Sequence, residues 1–237
     1  MGVSLLQMYP VKEGLTGTQT IELLTKRVQT LGGQLSGQFL VDCDTYGSTI
    51  HSMGGQQSTH RVLNVLHNSE HPASTFALLE VPVLSAPGNL NLPPGSGVKT
   101  VSLVADNLFD LLVHKMSHVY TSKKIKIESK GPRFELGDFV VKLGSVLMSQ
   151  NFKGVLVEVE YRPCSIAEAC WELLMEFMQG ILGQNAQLSV PRTLQGIYVD
   201  PDFASFQARM KEMYTPLDTI HQYMDQFTSF RKQASFR

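Results

Sequence analysis

Two glutamates one residue apart, Glu158 and Glu160, are the side chains of this sequence best placed to do chemistry. Successive side chains of a strand point to opposite faces, so a Glu-x-Glu pair sets both carboxylates on one side. Carboxylate oxygens arranged that way suit a hard divalent cation. Tunnel-type triphosphatases use alternating glutamates in this manner, which would make the chain a metal-dependent triphosphate hydrolase acting through Glu158 and Glu160. Such a site needs companions: further carboxylates, and inward lysines or arginines for the phosphates, including a Glu-x-Glu-x-Lys strand near the start. The opening segment Val3 to Met8 carries no charged residue. Without companions the pair reads as a half-buried strand, with Val155, Val157 and Val159 inward and the carboxylates outward to water.

The other candidates are thinner. His114 and His118 stand four apart on an expected helix, a spacing that puts two imidazoles on one face, but no His-Glu-x-x-His pattern accompanies them. Three cysteines, Cys43, Cys164 and Cys170, are too few and too irregularly spaced for a zinc site or a disulfide framework. Asp42 and Asp44 flank Cys43, and neighbouring negative charge raises a thiol pKa, which argues for a buried strand cysteine over a nucleophile. The glycines from Gly88 to Gly97 are interleaved with prolines and lead to no Gly-Lys-Ser/Thr, so no phosphate loop is supported. Lys123, Lys124, Lys126, Lys130 and Arg133 form a basic cluster interrupted by Glu128 and Glu135, which reads as a solvated strand edge. No catalytic residue, cofactor or metal is expected from these patterns.

The elements that would position these groups follow from periodicity. Val3 to Met8 reads as a strand. Thr16 and Gln19 make a capping box for a helix carrying Ile21, Leu24, Val28 and Leu31, stopped by Gly32-Gly33. Gln38 to Thr45 is a strand, and Arg61 to His67 with Thr75 to Val81 forms a hairpin across Asn68–Pro72. Residues 82–99, rich in proline and glycine, read as a flexible insertion. Asp106 caps a helix bearing Leu108, Leu111, Leu112, Met116 and Val119. Short strands follow around Ile125–Ile127, Phe134–Leu136, Phe139–Leu143, Gly144–Met148 and Val155–Tyr161. Ser165 and Glu168 form a second capping box, opening a strongly apolar helix from Ile166 to Ile181 that ends at Gly183. Residues 184–213 are weakly patterned. A C-terminal helix over 215–233 begins near Thr215-Pro216 and carries the stripe Leu217, Ile220, Met224 and Phe227, which fits either the chain's own sheet or a partner. The expectation is an α+β fold, a single domain over 1–237, with an antiparallel sheet curling into a barrel and helices packed on the outside.

With 43% hydrophobic residues among 237 and a formal charge of -1, the chain has a sizeable core and no global field for phosphate backbones. The first residues lack the basic n-region of a signal peptide. No apolar run reaches the roughly 20 residues of a membrane helix. These features fit a reduced intracellular compartment, with no membrane and no direct nucleic-acid contact.

A family pattern runs through the same residues. Val-Asp-Cys-Asp-Thr-Tyr at 41–46, Leu-His-Asn-Ser-Glu at 66–70, Phe-Ala-Leu at 76–78 and Lys-Ile-Glu-Ser-Lys-Gly at 126–131 resemble the Mediator subunit 20 family. So do Val-Glu-Val-Glu-Tyr-Arg-Pro-Cys at 157–164, Cys-Trp-Glu-Leu-Leu at 170–174, and Gln-Tyr-Met at 222–224 ahead of Arg231-Lys232-Gln233. Residues 82–99 and 184–213 depart from that pattern. The resemblance, to what is also called the TATA-binding-protein-related factor proximal protein family, implies a barrel-like sheet with outer helices. It implies a non-enzymatic nuclear coactivator subunit in the head module of Mediator, acting in RNA polymerase II transcription. Subunit 18 is its implied heterodimer partner, with subunit 8 as the tether to the other head-module subunits.

Overall fold

The computed structural model describes residues 2–12, 14–48, 61–82, 98–186, 194 and 208–235. The first helix, α1 (Gly17–Thr30), begins as its sequence dictates. The Thr16 hydroxyl accepts the Gln19 amide N–H at 3.2 Å, and the Gln19 side chain accepts the Thr16 N–H at 2.9 Å. Thr20, Leu24 and Val28 are buried one turn apart. Leu31, expected in the same stripe, is the C-cap and turns outward, since Gly32 takes φ +98° and ends the helix there.

The strands are β1 (Val3–Tyr9), β2 (Gln34–Ser48), β3 (Val62–Asn68), β4 (Ser74–Pro82), β5 (Val98–Asp106), β6 (Tyr120–Leu136), β7 (Phe139–Met148) and β8 (Asn151–Tyr161). They form one sheet in the order β1-β8-β7-β6-β2-β3-β4-β5. The expected hairpin is β3–β4, with Val62 opposite Glu80; the Asn68 side chain closes its turn by accepting the Glu70 N–H at 3.0 Å. Gly137-Asp138 joins β6 to β7. Ser149 and Gln150, both at positive φ, make the two-residue turn into β8.

The expected barrel does not close. Strand order begins at β1 and ends at β5, and among the described residues no pairing joins those two, so the sheet is open with two edges. Several boundaries also differ from expectation. The separate strands expected between 125 and 136 are one continuous β6, and those at 139–143 and 144–148 are one β7. β5 was not anticipated from the sequence; its alternating Val101 and Leu103 follow directly on a proline-rich stretch that masks the signal. Most of the expected insertion, 83–97, and residues 187–193 and 195–207 of the weakly patterned segment lie outside the described residues.

The helices after β5 are α2 (Phe109–Lys115), α3 (Ala167–Leu182), α4 (Ala208–Lys211) and α5 (Pro216–Ser235). Asp106 does not cap α2; its carboxylate accepts the Leu108 N–H at 3.0 Å in a turn before the helix. The second capping box is also absent. Extended Ile166 is the N-cap of α3 with no side-chain cap, because Ser165 C=O takes the Tyr214 N–H at 2.7 Å and Ile166 bridges to Met213. α3 does end at Gly183, at φ +63°.

The chain divides into two compact units, residues 1–41, 127–197 and 205–237 forming one, and 42–126 with 198–204 the other. In the first unit, Val155, Val157 and Val159 of β8, Val141 and Leu143 of β7, and Val3 and Leu5 of β1 share a buried cluster with Leu24 and Val28 of α1 and Leu174, Met178 and Ile181 of α3. The second unit has a smaller cluster of Leu63, Val65, Ala77 and Val113, onto which Phe109, Met116 and Tyr46 pack.

Candidate functional site beneath the C-terminal helix

The alternation that turns Val155, Val157 and Val159 toward α1 and α3 turns Leu156, Glu158 and Glu160 to the opposite face of β8. Alternation alone leaves that face in water. In the structure α5 covers it. Pro216 occupies the first turn of α5, where its missing N–H is harmless, and Asp218 Oδ2 accepts both the Thr215 N–H and hydroxyl at 2.8 Å. Ile220, Tyr223, Phe227 and Phe230 of α5 are almost wholly buried, and Met224 nearly so. Gly154 lies directly under Phe230: a Cβ there would meet the ring at 2.8 Å.

Glu158 is therefore 2% exposed and held on both carboxylate oxygens. Oε1 accepts from Lys142 Nζ at 3.0 Å, and Oε2 accepts from the Tyr223 hydroxyl at 2.6 Å. Lys142 stands directly opposite Glu158 in the β7–β8 register and is itself buried, so a cross-strand ion pair lies under the helix. Glu160, only half-buried, accepts the Gly2 N–H at 2.9 Å. The two glutamates do share a face, but an ammonium and a phenol hydroxyl already occupy the lone pairs a divalent cation would need. The donor set does not fit a metal, and no hydrolytic step follows from it.

A second polar contact pins α5 to the edge strand β1. Gln222 Nε2 donates to Ser4 C=O at 2.9 Å, while Gln222 Oε1 accepts the Leu6 N–H at 2.9 Å. One side-chain amide thus satisfies two backbone groups on the edge that β8 leaves unpaired, as an added strand would. Tyr214 completes the seam: its hydroxyl donates to Ser4 C=O at 3.2 Å and lies 2.9 Å from Thr219 Oγ1, and burial pushes its pKa up.

The expected stripe is placed accordingly. Ile220, Met224 and Phe227 face the chain's own sheet, and Leu217 is half-buried. Periodicity alone does not single out Lys142, Gln222, Tyr223 or Tyr214. One lysine inside the apolar run Phe-Val-Val-Lys-Leu was the available signal for a buried partner to a glutamate.

The remaining candidates separate from one another. α2 ends at Lys115, so His118 lies in the turn beyond it and does not share a helix face with His114. Cys43 is buried; Cys164 and Cys170 both point at the Ile166 carbonyl, at 3.1 and 3.7 Å. Burial, helped by the neighbouring Cys164, pushes the Cys170 thiol up to about 12. The basic cluster is not on a strand edge, for β6 lies between β7 and β2. Three of its members are paired: Lys126 with Asp42 at 2.5 Å, Lys130 with Glu128 at 2.9 Å, and Arg133 with Glu135 at 2.9 Å. Exposed large apolar side chains of the second unit include Val101, Leu103 and Val104 on β5, Leu108 at the N-cap of α2, and Leu111 and Leu112 on α2. No described helix is long and apolar enough to cross a membrane.

The family described as TATA-binding related factor (TRF) of subunit 20 of Mediator complex matches residues 1–228. The mosquito Aedes aegypti protein named Mediator of RNA polymerase II transcription subunit 20 is 51% identical over 237 residues, covering 99% of this chain and 97% of its own. The human protein of the same name is 39% identical over 234 residues, covering 98% and 96%. Among solved structures, a chain in the Schizosaccharomyces pombe Mediator head module aligns over 78% of this chain and 95% of its own, with TM-score 0.34 and 16% identity.

Proposed function

Because the chain belongs to the Mediator subunit 20 family, we propose that it works as a binding subunit of the Mediator head module, pairing with subunit 18 and reaching the rest of the module through subunit 8. Membership makes it a non-catalytic, nuclear subunit of the complex that regulates RNA polymerase II transcription. The observation that carries this reading is 51% identity over 99% of the chain and 97% of the relative.

The placement of apolar surface supports a binding role. The stripe Leu217, Ile220, Met224 and Phe227 contributes indirectly in this proposal, by holding α5 on the sheet. The direct partner surface is assigned to β5 and α2, where Leu108, Leu111 and Leu112 recur at helical spacing and are 51–61% exposed. An obligate pairing of this kind buries on the order of 1,600 Å² or more. No nucleic-acid contact and no cofactor enter the proposal.

The test is co-expression of the full chain with subunits 18 and 8 of the same organism, followed by affinity purification in mild salt. Stoichiometric co-purification is expected, with loss of the partner from a Leu111→Asp, Leu112→Asp variant. A chain that purifies alone as a cooperative monomer and retains neither subunit would overturn the pairing.

A further inference from the structure

In the second unit, His67 of β3 lies between two carboxylates. Its Nδ1 is 3.0 Å from Asp42 Oδ1 on β2, and its Nε2 is 2.9 Å from Asp110 Oδ2 in the first turn of α2. Asp42 is 8% exposed, and its second oxygen holds Lys126 Nζ of β6 at 2.5 Å. A carboxylate only accepts, and a neutral imidazole has a single N–H. Both contacts are hydrogen bonds only when His67 is an imidazolium. With that charge, Lys126, Asp42, His67 and Asp110 form an alternating row of zero net charge; without it, one ring lone pair faces a carboxylate.

We propose that His67 is a proton-operated clamp on α2: charged, it ties the helix to the sheet through Asp110; neutral, it keeps Asp42 and lets Asp110 go. The asymmetry follows from the surroundings. Asp42 is buried and held from its other side by Lys126, whereas the Asp110 side chain is 44% exposed and water can take the place of the ring. The surviving tautomer therefore carries its proton on Nδ1. Val113 of α2, buried with Leu63, Val65 and Ala77, then remains as an attachment of the helix, with Phe109 and Met116 packed beside it. The element set loose is the one that displays Leu108, Leu111 and Leu112 outward.

The groups facing the ring are Asp42 and Asp44 from β2, Lys126 from β6 and Asp110 from α2, with Tyr46 of β2 beyond them near Asp44 and Asp110. The Asp42 hydrogen bond leads in raising His67 above its ordinary value of 6.5, against burial, and Asp110 adds to it; Asp44, whose own pKa burial raises, belongs to the same cluster. Because the folded-state pKa lies above the unfolded one, the clamp is fully present below about pH 6.5 and is lost as pH rises through the folded value.

The experiment uses the full chain, alone or with the subunits that co-purify with it. Hydrogen exchange of the α2 amides, corrected for the intrinsic base-catalysed rate, is followed by mass spectrometry from pH 6 to 8.5, and the His67 ring proton is titrated by NMR. α2 protection is expected to fall about threefold to fivefold across the His67 midpoint, a size typical of a partly exposed charge pair, while α1 and α3 stay level. Asp110→Asn, an isosteric change at a partly exposed position, should lower the midpoint and remove the pH step in α2. His67→Gln should remove the step as well. A midpoint at or below 6.5, or a pH step in α2 that survives Asp110→Asn, overturns the clamp.

Discussion

Replacing Glu158 with glutamine removes one charge from the buried seam while keeping its volume, so the loss can be traced to the ion pair. Lys142 would remain a buried ammonium that has lost the carboxylate at 3.0 Å, the oxygen facing it now belonging to a neutral amide. The Tyr223 hydroxyl would lose its charge-assisted bond of 2.6 Å. Breaking one side of a buried pair costs about 3–5 kcal/mol, because the remaining charge stays desolvated. Glutamine still accepts a hydrogen bond, which places Glu158→Gln near the lower end, at about 3 kcal/mol. With a urea dependence of about 2–3 kcal/mol per molar, the midpoint should fall by about 1–1.5 M. The assay is urea titration read by far-ultraviolet circular dichroism and by Trp171, the sole tryptophan, which packs against the first unit's core. The double variant Lys142→Met, Glu158→Leu should be less destabilised than the sum of its singles, since an apolar pair leaves no desolvated charge and only the Tyr223 hydroxyl loses its Glu158 acceptor. A Glu158→Gln variant within about 0.5 kcal/mol of the parent would refute the reasoning, as would a double variant equal to the sum of its singles.

Other substitutions probe the same docking from different sides. Phe227→Ala should cost about 3–5 kcal/mol and strip exchange protection from α5 before any other helix, since the ring is wholly buried against the sheet. Gly154→Ala should cost about 1–3 kcal/mol, because the new methyl carbon meets the Phe230 ring, and pairing it with Phe230→Leu should recover part of that loss. Thr16→Ala should lower stability by about 1 kcal/mol by removing the capping box of α1, measurable as a small shift of the same urea midpoint.

Local chemistry was readable wherever a few neighbouring residues decide the outcome. Thr16 and Gln19 announced the start of α1 and Asn68 the β3–β4 turn, because each satisfies backbone groups within its own turn; Pro216 announced the start of α5, because its missing N–H is harmless in a first turn. Ser165 and Glu168 carry the same capping signature and failed, since Tyr214, about fifty residues on, takes the Ser165 carbonyl and keeps the chain extended. Strand β5 was hidden because the prolines and glycines before it suppress periodicity without preventing pairing to β4.

Alternation in β8 determined that Glu158 and Glu160 share a face opposite Val155, Val157 and Val159, and ordered family motifs determined which proteins the chain resembles. What lies over that face was decided only by tertiary structure. Periodicity describes a strand and a helix separately; it carries no term for α5 landing on β8 some 65 residues earlier. That landing turns a pair of expected surface carboxylates into one buried ion-pair partner and one group near the chain start. It also commits Ile220, Met224 and Phe227 to the chain's own core. Free energy of burial is a property of two surfaces brought together, so the fate of Glu158 could not be read from either one alone.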